Sequence, residues 1–196
     1  TGWVLNFLME NMDNYPCTLM GNEYSPAKFK DRLRAMTWAK PIDENGKSKF
    51  ELFERHDDWR TVIRPDNINI IDWINLPDAF YQIGSIIEGI QRKLRTGIAI
   101  VVTQKDFSKQ LGLGGSFGMH LCSLYLAMDF ERLTVMKAKA WVGHNPNKEV
   151  YGFKLFDKGT LFQNIRPLKK CVKCWGTGKT KTGECDVCLG SGWIDA

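Results

Sequence analysis

The apolar positions of the first hundred residues follow the two periods that distinguish helices from strands. Residues 1–11 carry apolar side chains around most of a helical circumference, and residues 25–36 and 83–94 carry them on one helical face. Ser25 and Pro26 predict a helix start with a capping hydroxyl, and Gly97 predicts a helix end. Between the helices, three apolar runs predict strands at residues 17–23, 67–74 and 97–104.

The second half of the chain is dominated by strand patterns. Strands are predicted within residues 122–130, 132–141 and 150–165, the last broken by a turn at residues 157–159. Residues 40–67 are polar and read as an insertion with a strand at residues 50–54, and residues 111–118 read as a glycine-rich loop. The order of elements predicts an α/β fold with one mixed, mainly parallel sheet flanked by helices.

Length and apolar content narrow the possible classes of protein. The 196 residues, 43% of them apolar, suffice for one compact domain, predicted at residues 1–167, and an appendage at residues 168–196. No apolar run reaches the roughly 20 residues of a membrane span and no secretory signal is recognisable, so we expect a cytoplasmic protein without a membrane partner. Because the chain begins with Thr1 and not with methionine, we expect a piece of a longer product, although processing would leave the same start.

Four of the six cysteines occupy the last 26 residues in two copies of the pattern CxxCxGxG. Two such turns facing each other supply the four thiolates of a tetrahedral zinc site, and the glycines let backbone N–H groups approach the sulfurs. Iron accepts the same ligands. Since four thiolates leave no open coordination position, the site is predicted to be structural. Its predicted ligands are Cys171, Cys174, Cys185 and Cys188.

The cysteine segment is also basic. Lys173, Lys179 and Lys181 lie in a stretch that contains no acid before Glu184. Such a basic stretch either attracts phosphates or forms a solvated surface. Trp175 and Trp193 either stack on nucleic-acid bases or dock the segment onto the main domain. The CxxCxGxG pattern resembles the cysteine-rich region of DnaJ-type chaperones, where it occurs four times and binds two metals. With two copies here, the resemblance covers this segment alone.

Five segments match, in order, a second family. They resemble the RecA-like ATPase core of the DnaB, KaiC and RadA group without its first strand. The segments are TGWVLNFLMEN, MGNEYSPAKFKDRL, NIIDWI, IVVTQ and MKAKAWVG. The resemblance implies that Thr1 reaches the Mg²⁺ of ATP and that Glu23 is the general base. It places Asp72 beside the metal and Gln104 at the γ-phosphate. The positions that reach a neighbouring subunit's nucleotide are occupied by Lys137 and Lys139.

The same resemblance implies a DNA-dependent ATPase of replication or repair, a helicase or a recombinase, that binds ATP and Mg²⁺ in a homo-oligomeric ring or filament. Lys105 and Lys109 lie where the family contacts DNA, with single-stranded DNA favoured; a plain surface loop is the alternative. Lys139 stands where the family has Arg, and lysine lacks the bidentate fork. The phosphate-loop lysine would lie upstream, so we expect negligible hydrolysis from residues 1–196 alone. The alternative function is a non-catalytic module that binds nucleic acid or protein through a degenerate core and a structural zinc site.

Overall fold

The computed structural model describes residues 2–22, 25–76, 78–106 and 108–196. The helices within these ranges are α1 (Gly2–Asn11), α2 (Pro26–Ala35), α3 (Ile83–Gln91) and α4 (Ser116–Leu121). The strands are β1 (Cys17–Gly21), β2 (Phe50–Glu54), β3 (Ile68–Ile74), β4 (Ile98–Thr103), β5 (Leu124–Asp129), β6 (Arg132–Ala138), β7 (Val150–Phe156), β8 (Leu161–Lys170), β9 (Lys179–Thr180), β10 (Gly183–Glu184) and β11 (Trp193–Asp195).

The chain divides into two compact units. The first contains residues 1–122 and 155–162, and the second contains residues 123–154 and 163–196. The four-cysteine segment therefore shares a unit with the strands that follow residue 122, whereas the boundary predicted from the sequence lies at residue 168. No helix of the described ranges is long and apolar enough to cross a membrane.

The first unit is built on a parallel sheet with the strand order β2-β1-β3-β4. Successive side chains of a strand point to opposite faces, and two apolar cores result. Leu19 of β1 and Ile70 of β3 pack with α1 and α2, while Met20 and Ile71 pack with α3. The predicted α/β class and the parallel sheet flanked by helices are thus confirmed.

The strands of the second unit do not extend that sheet. Five of them form a separate sheet in the order β11-β8-β7-β6-β5, in which β5, β6 and β7, and β8 and β11, pair antiparallel. The short strands β9 and β10 pair antiparallel in a two-stranded sheet of their own. In the described part of the chain, three sheets therefore replace the single mixed sheet predicted from the sequence. The short connection after β5, where Glu131 turns the chain at φ 53°, accounts for the antiparallel pairing of β5 with β6. A tight turn joins antiparallel neighbours, whereas parallel strands need a long crossover.

Three local predictions differ from the structure. Ser25 precedes α2 but makes no side-chain capping hydrogen bond. Gly97 does not end a helix, because α3 stops at Gln91; a Cβ at Gly97 would lie 2.4 Å from the Asn67 carbonyl oxygen, so close backbone approach requires glycine there. The predicted glycine-rich loop becomes helical from Ser116, and Gly114 packs directly under Ile83.

Candidate functional site

The four cysteines of the C-terminal segment form one buried cluster. The Sγ atoms of Cys171, Cys174, Cys185 and Cys188 all lie within 4.8 Å of one another. Cys171 faces Cys185 at 3.9 Å and Cys174 faces Cys188 at 3.6 Å, so each CxxC turn contributes one sulfur to each pair. All four side chains are at most 7% exposed. The cluster could hold a metal ion such as zinc, which four thiolates bind tetrahedrally.

The two halves of the cluster, residues 171–178 and 185–192, repeat the same hydrogen bonds. The N–H of Gly178 donates to Cys174 Sγ at 3.3 Å, and the N–H of Gly192 donates to Cys188 Sγ at 3.2 Å. Thr177 and Ser191 each donate a hydroxyl hydrogen bond of 2.7 Å to the carbonyl of the cysteine three residues before. The predicted approach of glycine N–H groups to the sulfurs is confirmed.

The halves also pack back to back through their glycines. A Cβ at Gly178 would lie 2.0 Å from the Gly190 carbonyl oxygen, and one at Gly192 would lie 2.4 Å from the Gly176 carbonyl oxygen. Across the same contact, the Cys185 N–H donates to the Gly178 carbonyl at 2.9 Å, and Cys171 bonds equivalently to Gly192. The glycines of the motif thus serve both the sulfurs and the contact between the halves.

Burial and hydrogen bonding give the thiols of Cys174 and Cys188 different pKa values. Burial opposes ionisation of Cys174, but hydrogen bonds from the Gly178 and Gly176 N–H groups and from neighbouring thiols outweigh it and lower its pKa to about 6. Burial and the neighbouring thiols raise the pKa of Cys188 to about 11. One thiolate is therefore available near neutral pH, and a divalent cation would supply the positive charge needed to ionise Cys188.

The predicted DNA-contacting lysines of this segment differ in their surroundings. Lys173 forms an ion pair across the two halves, with its Nζ 2.6 Å and 2.8 Å from the carboxylate oxygens of Asp186. Lys179 and Lys181 are exposed, and no ion pair of the described residues includes them. The charge of Lys173 is thus partly neutralised, while those of Lys179 and Lys181 face solvent.

The two tryptophans of the segment have different environments as well. Trp193 is half-buried on β11, and the guanidinium of Arg132 lies 5.3 Å from its ring centroid. Trp175 is 82% exposed. Trp193 therefore packs against the strands of the second unit, as one of the alternatives expected. Trp175 faces solvent, although the same two alternatives were expected for both residues.

Two of the predicted ATPase residues lie at one edge of the parallel sheet. Asp72 belongs to β3 and is 2% exposed, and Gln104 directly follows β4 and is exposed. Because β3 and β4 are parallel neighbours, with Ile74 opposite Thr103, both residues lie toward the carboxyl ends of their strands. Thr1 and Glu23 are outside the described residues, and Glu23 follows β1, the other neighbour of β3, by two positions.

Of the remaining predicted residues, two lie in the loop that begins directly after Gln104 and two lie in the second unit. In the loop after β4, Lys105 Nζ donates to the Lys109 carbonyl at 2.9 Å, and Lys109 pairs with Asp106 at 2.9 Å. This loop is therefore held by its own contacts. Lys137 is half-buried in β6, and Lys139 is exposed just after it; both belong to the second unit.

One lysine next to the cysteine cluster, Lys170, was not among the predicted DNA-contacting residues. The side chain of Lys170 lies against Gly176, with its Cδ 3.2 Å from an ideal Cβ position of that glycine. Gly176 is the residue after Trp175. The signal of Lys170 in the sequence is its position directly before Cys171 at the end of a basic run. The sequence does not reveal that the chain folds Lys170 back onto the turn that carries Trp175.

Comparison of the sequence with models of known protein families gives no match, and comparison with curated proteins gives none.

Proposed function

We propose that this chain carries the nucleotide-hydrolysing core of a RecA-like, DNA-dependent ATPase, followed by a tail that a zinc ion folds. The observation behind the proposal is the placement of Asp72 and Gln104 at the carboxyl edge of a parallel sheet, on adjacent strands. Ligands of open α/β sheets bind at this edge. The five segments of the RecA-like resemblance also occur along the chain in the order of that family.

The proposed chemistry assigns one task to each residue at this edge. ATP, when bound, supplies the phosphate bond that is broken, and Mg²⁺ neutralises charge on the phosphates. Asp72 then holds the metal, and Gln104 contacts the γ-phosphate through its amide. Glu23 accepts a proton from the attacking water, which a carboxylate close to the phosphate can do as general base. The exposed Lys139 reaches the nucleotide of a neighbouring copy.

The open edge of the sheet also favours the proposal. Among the described residues β4 pairs with β3 alone, and Ile98 of β4 is 47% exposed. The remaining residues of β4 are half-buried, although an uninterrupted apolar strand is typical of the interior of a parallel sheet. The sheet thus has room for the additional strand that the resemblance implies.

The structural role proposed for zinc is supported by the position of the cysteine cluster next to β11. β11 pairs with β8 directly beside the cluster, Trp193 being opposite Lys170. Four thiolates without metal provide little to hold so short a segment together, and metal binding to such sites supplies folding free energy. In this proposal the zinc ion closes residues 171–188 and so delivers β11 to the edge of its sheet.

The catalytic proposal is tested by variants of the complete protein, including any sequence before Thr1. Glu23→Gln is expected to lower steady-state ATP hydrolysis by about 100-fold or more while ATP binding persists, because the general base contributes on this order. The matched control is Glu54→Gln, which removes a carboxylate at the end of the neighbouring strand β2, beside Gly21. Unchanged turnover in Glu23→Gln, or an equal loss in Glu54→Gln, would contradict the assignment.

A non-catalytic binding protein is the second candidate function. The observation that favours it is the exposed Trp175, together with the unpaired lysines around the cysteine cluster. The sequence immediately before Thr1 discriminates the candidates: a GxxxxGK segment there favours the ATPase, and an unrelated segment favours the binding module.

A further inference from the structure

The two halves of the cysteine cluster, residues 171–178 and 185–192, form what we call the cysteine module. Corresponding positions in these halves carry large apolar side chains that are exposed to solvent. Trp175 and Leu189 each follow the second cysteine of a CxxC turn, and they are 82% and 79% exposed. Both have a left-handed backbone, with φ of 54° and 48°. This conformation disfavours bulky side chains, and exposure disfavours apolar ones. Neither backbone geometry nor core packing therefore accounts for a tryptophan at position 175.

The surroundings of these two residues differ in charge. Lys170 lies against Gly176, the residue after Trp175, with its Cδ 3.2 Å from an ideal Cβ position. At the corresponding place in the other half, the carboxylate of Glu184 lies against Gly190, the residue after Leu189. The first half therefore has the stem of a lysine against the turn that carries Trp175, whereas the second has a carboxylate against the turn that carries Leu189.

The cations around the first half are also largely unpaired. Arg166 pairs with Asp195 and Lys173 with Asp186. No ion pair of the described part of the chain includes the other lysines of this basic run, all of which are exposed: Lys169, Lys170, Lys179 and Lys181. A planar ring with unpaired cations near it along the chain provides a surface for stacking and a surface for phosphates.

We propose that the half of the module containing Trp175 binds single-stranded nucleic acid, with a base stacked on the indole and phosphates held by Lys170 and its unpaired neighbours. Single strands fit because their bases are free to stack, and stacking tolerates any sequence. An apolar protein partner would instead use Trp175 and Leu189 alike. The proposal deepens the DNA-binding part of the proposed function and does not depend on ATP hydrolysis.

The test uses the zinc-loaded chain and a fluorescently labelled oligothymidine of about 20 nucleotides, long enough for several binding sites. Fluorescence anisotropy without nucleotide measures the dissociation constant. Trp175→Ala is expected to raise it about 5- to 100-fold, since one stacked base contributes on this scale. Trp175→Phe, which keeps a ring, restores most of the affinity. Leu189→Ala is the matched control and leaves the affinity within about two-fold, since it removes an equally exposed side chain from the equivalent turn.

The lysine contribution is measured separately through the salt dependence. Titrations between about 50 and 200 mM salt give the slope of the logarithm of the binding constant against that of the salt concentration. Lys170→Gln is expected to reduce this slope by about 0.7, the value for one phosphate contact with a single strand. Zinc content and circular dichroism of each variant confirm that the module is folded.

Three results would overturn the proposal: no binding of the oligonucleotide by the zinc-loaded chain, wild-type affinity in Trp175→Ala, or equal losses in Trp175→Ala and Leu189→Ala. The last result would indicate a general apolar docking surface. The outcome is separate from that of the catalytic proposal, because Glu23→Gln in the complete protein should bind the oligonucleotide through Trp175 whether or not hydrolysis is lost.

Discussion

Replacing Gly178 by alanine tests whether the two halves of the cysteine module must pack back to back. The new Cβ would lie 2.0 Å from the Gly190 carbonyl oxygen, whereas ordinary contact begins at 3.4 Å. Gly178 also has a φ of +76°. The substitution retains the N–H group that donates to Cys174 Sγ, so it perturbs the contact between the halves and the backbone conformation but not that hydrogen bond.

The expected magnitude combines two terms. A left-handed residue with a Cβ costs about 1 kcal/mol relative to glycine. Moving a backbone carbonyl out of collision is comparable to overpacking a core, which costs about 1–3 kcal/mol. Because metal binding and folding of so small a module are coupled, the sum of about 2–4 kcal/mol should appear in the zinc affinity. The zinc dissociation constant is therefore expected to rise by about 30- to 1000-fold.

Competition with a chromophoric chelator measures that constant. Gly192→Ala, whose Cβ would lie 2.4 Å from the Gly176 carbonyl oxygen, should show a comparable loss. Gly183→Ala is the control, since it also has a positive φ, of 129°, but its Cβ would meet nothing within 4 Å. It should weaken zinc binding by no more than about 10-fold, the scale of backbone strain alone. Equal affinities of Gly178→Ala and Gly183→Ala would refute the role assigned to the contact.

Two further predictions concern the first unit. The side chain of Asn69 is fully buried in β3, where it donates to the Arg64 carbonyl and accepts the Arg64 N–H at 2.9 Å each. Asn69→Leu should lower the free energy of unfolding in urea by about 2–5 kcal/mol, and the exposed control Asn45→Leu by less than about 0.5 kcal/mol; equal effects would contradict the role of the network. Hydrogen bonds from Arg95 and from a neighbouring threonine hold the pKa of Asp66 below its usual range. A lowered carboxyl pKa stabilises the fold above the ordinary value of about 4, and this stabilisation is lost as the pH falls through the folded-state pKa. The difference in Tm between the wild type and Asp66→Asn should therefore shrink from about pH 6 to about pH 3; a constant difference would contradict it.

Most individual elements could be predicted from the sequence because their apolar periods are local. The strand at residues 50–54 was expected with the same bounds, and α1 and β3 differ from their expected ranges by one residue at most. The assembly of strands into sheets could not be predicted in this way. Whether β5 extends the first sheet or begins another depends on contacts between residues far apart, to which local periodicity is insensitive.

The candidate site shows the same division. The spacing of the cysteines predicts their grouping, because two CxxC turns can satisfy one tetrahedron, and the sulfurs do lie together. The reason for the last glycine of each motif was predicted only in part: its N–H approaches a sulfur, but its missing Cβ makes room for the opposite half. That contact joins residues on different turns, so one copy of the motif does not contain it.

The sequence by itself predicted most of the helices and strands, the grouping of the four cysteines and the order of the polar residues that follow the strands, since each depends on spacing along the chain. Only the tertiary structure decided how the strands divide into separate sheets, that Trp193 packs against Arg132 while Trp175 faces solvent, and that Lys170 lies beside the Trp175 turn. Burial and charge pairing arise between distant segments. Two tryptophans of equal hydrophobicity therefore acquire different environments once the chain has folded.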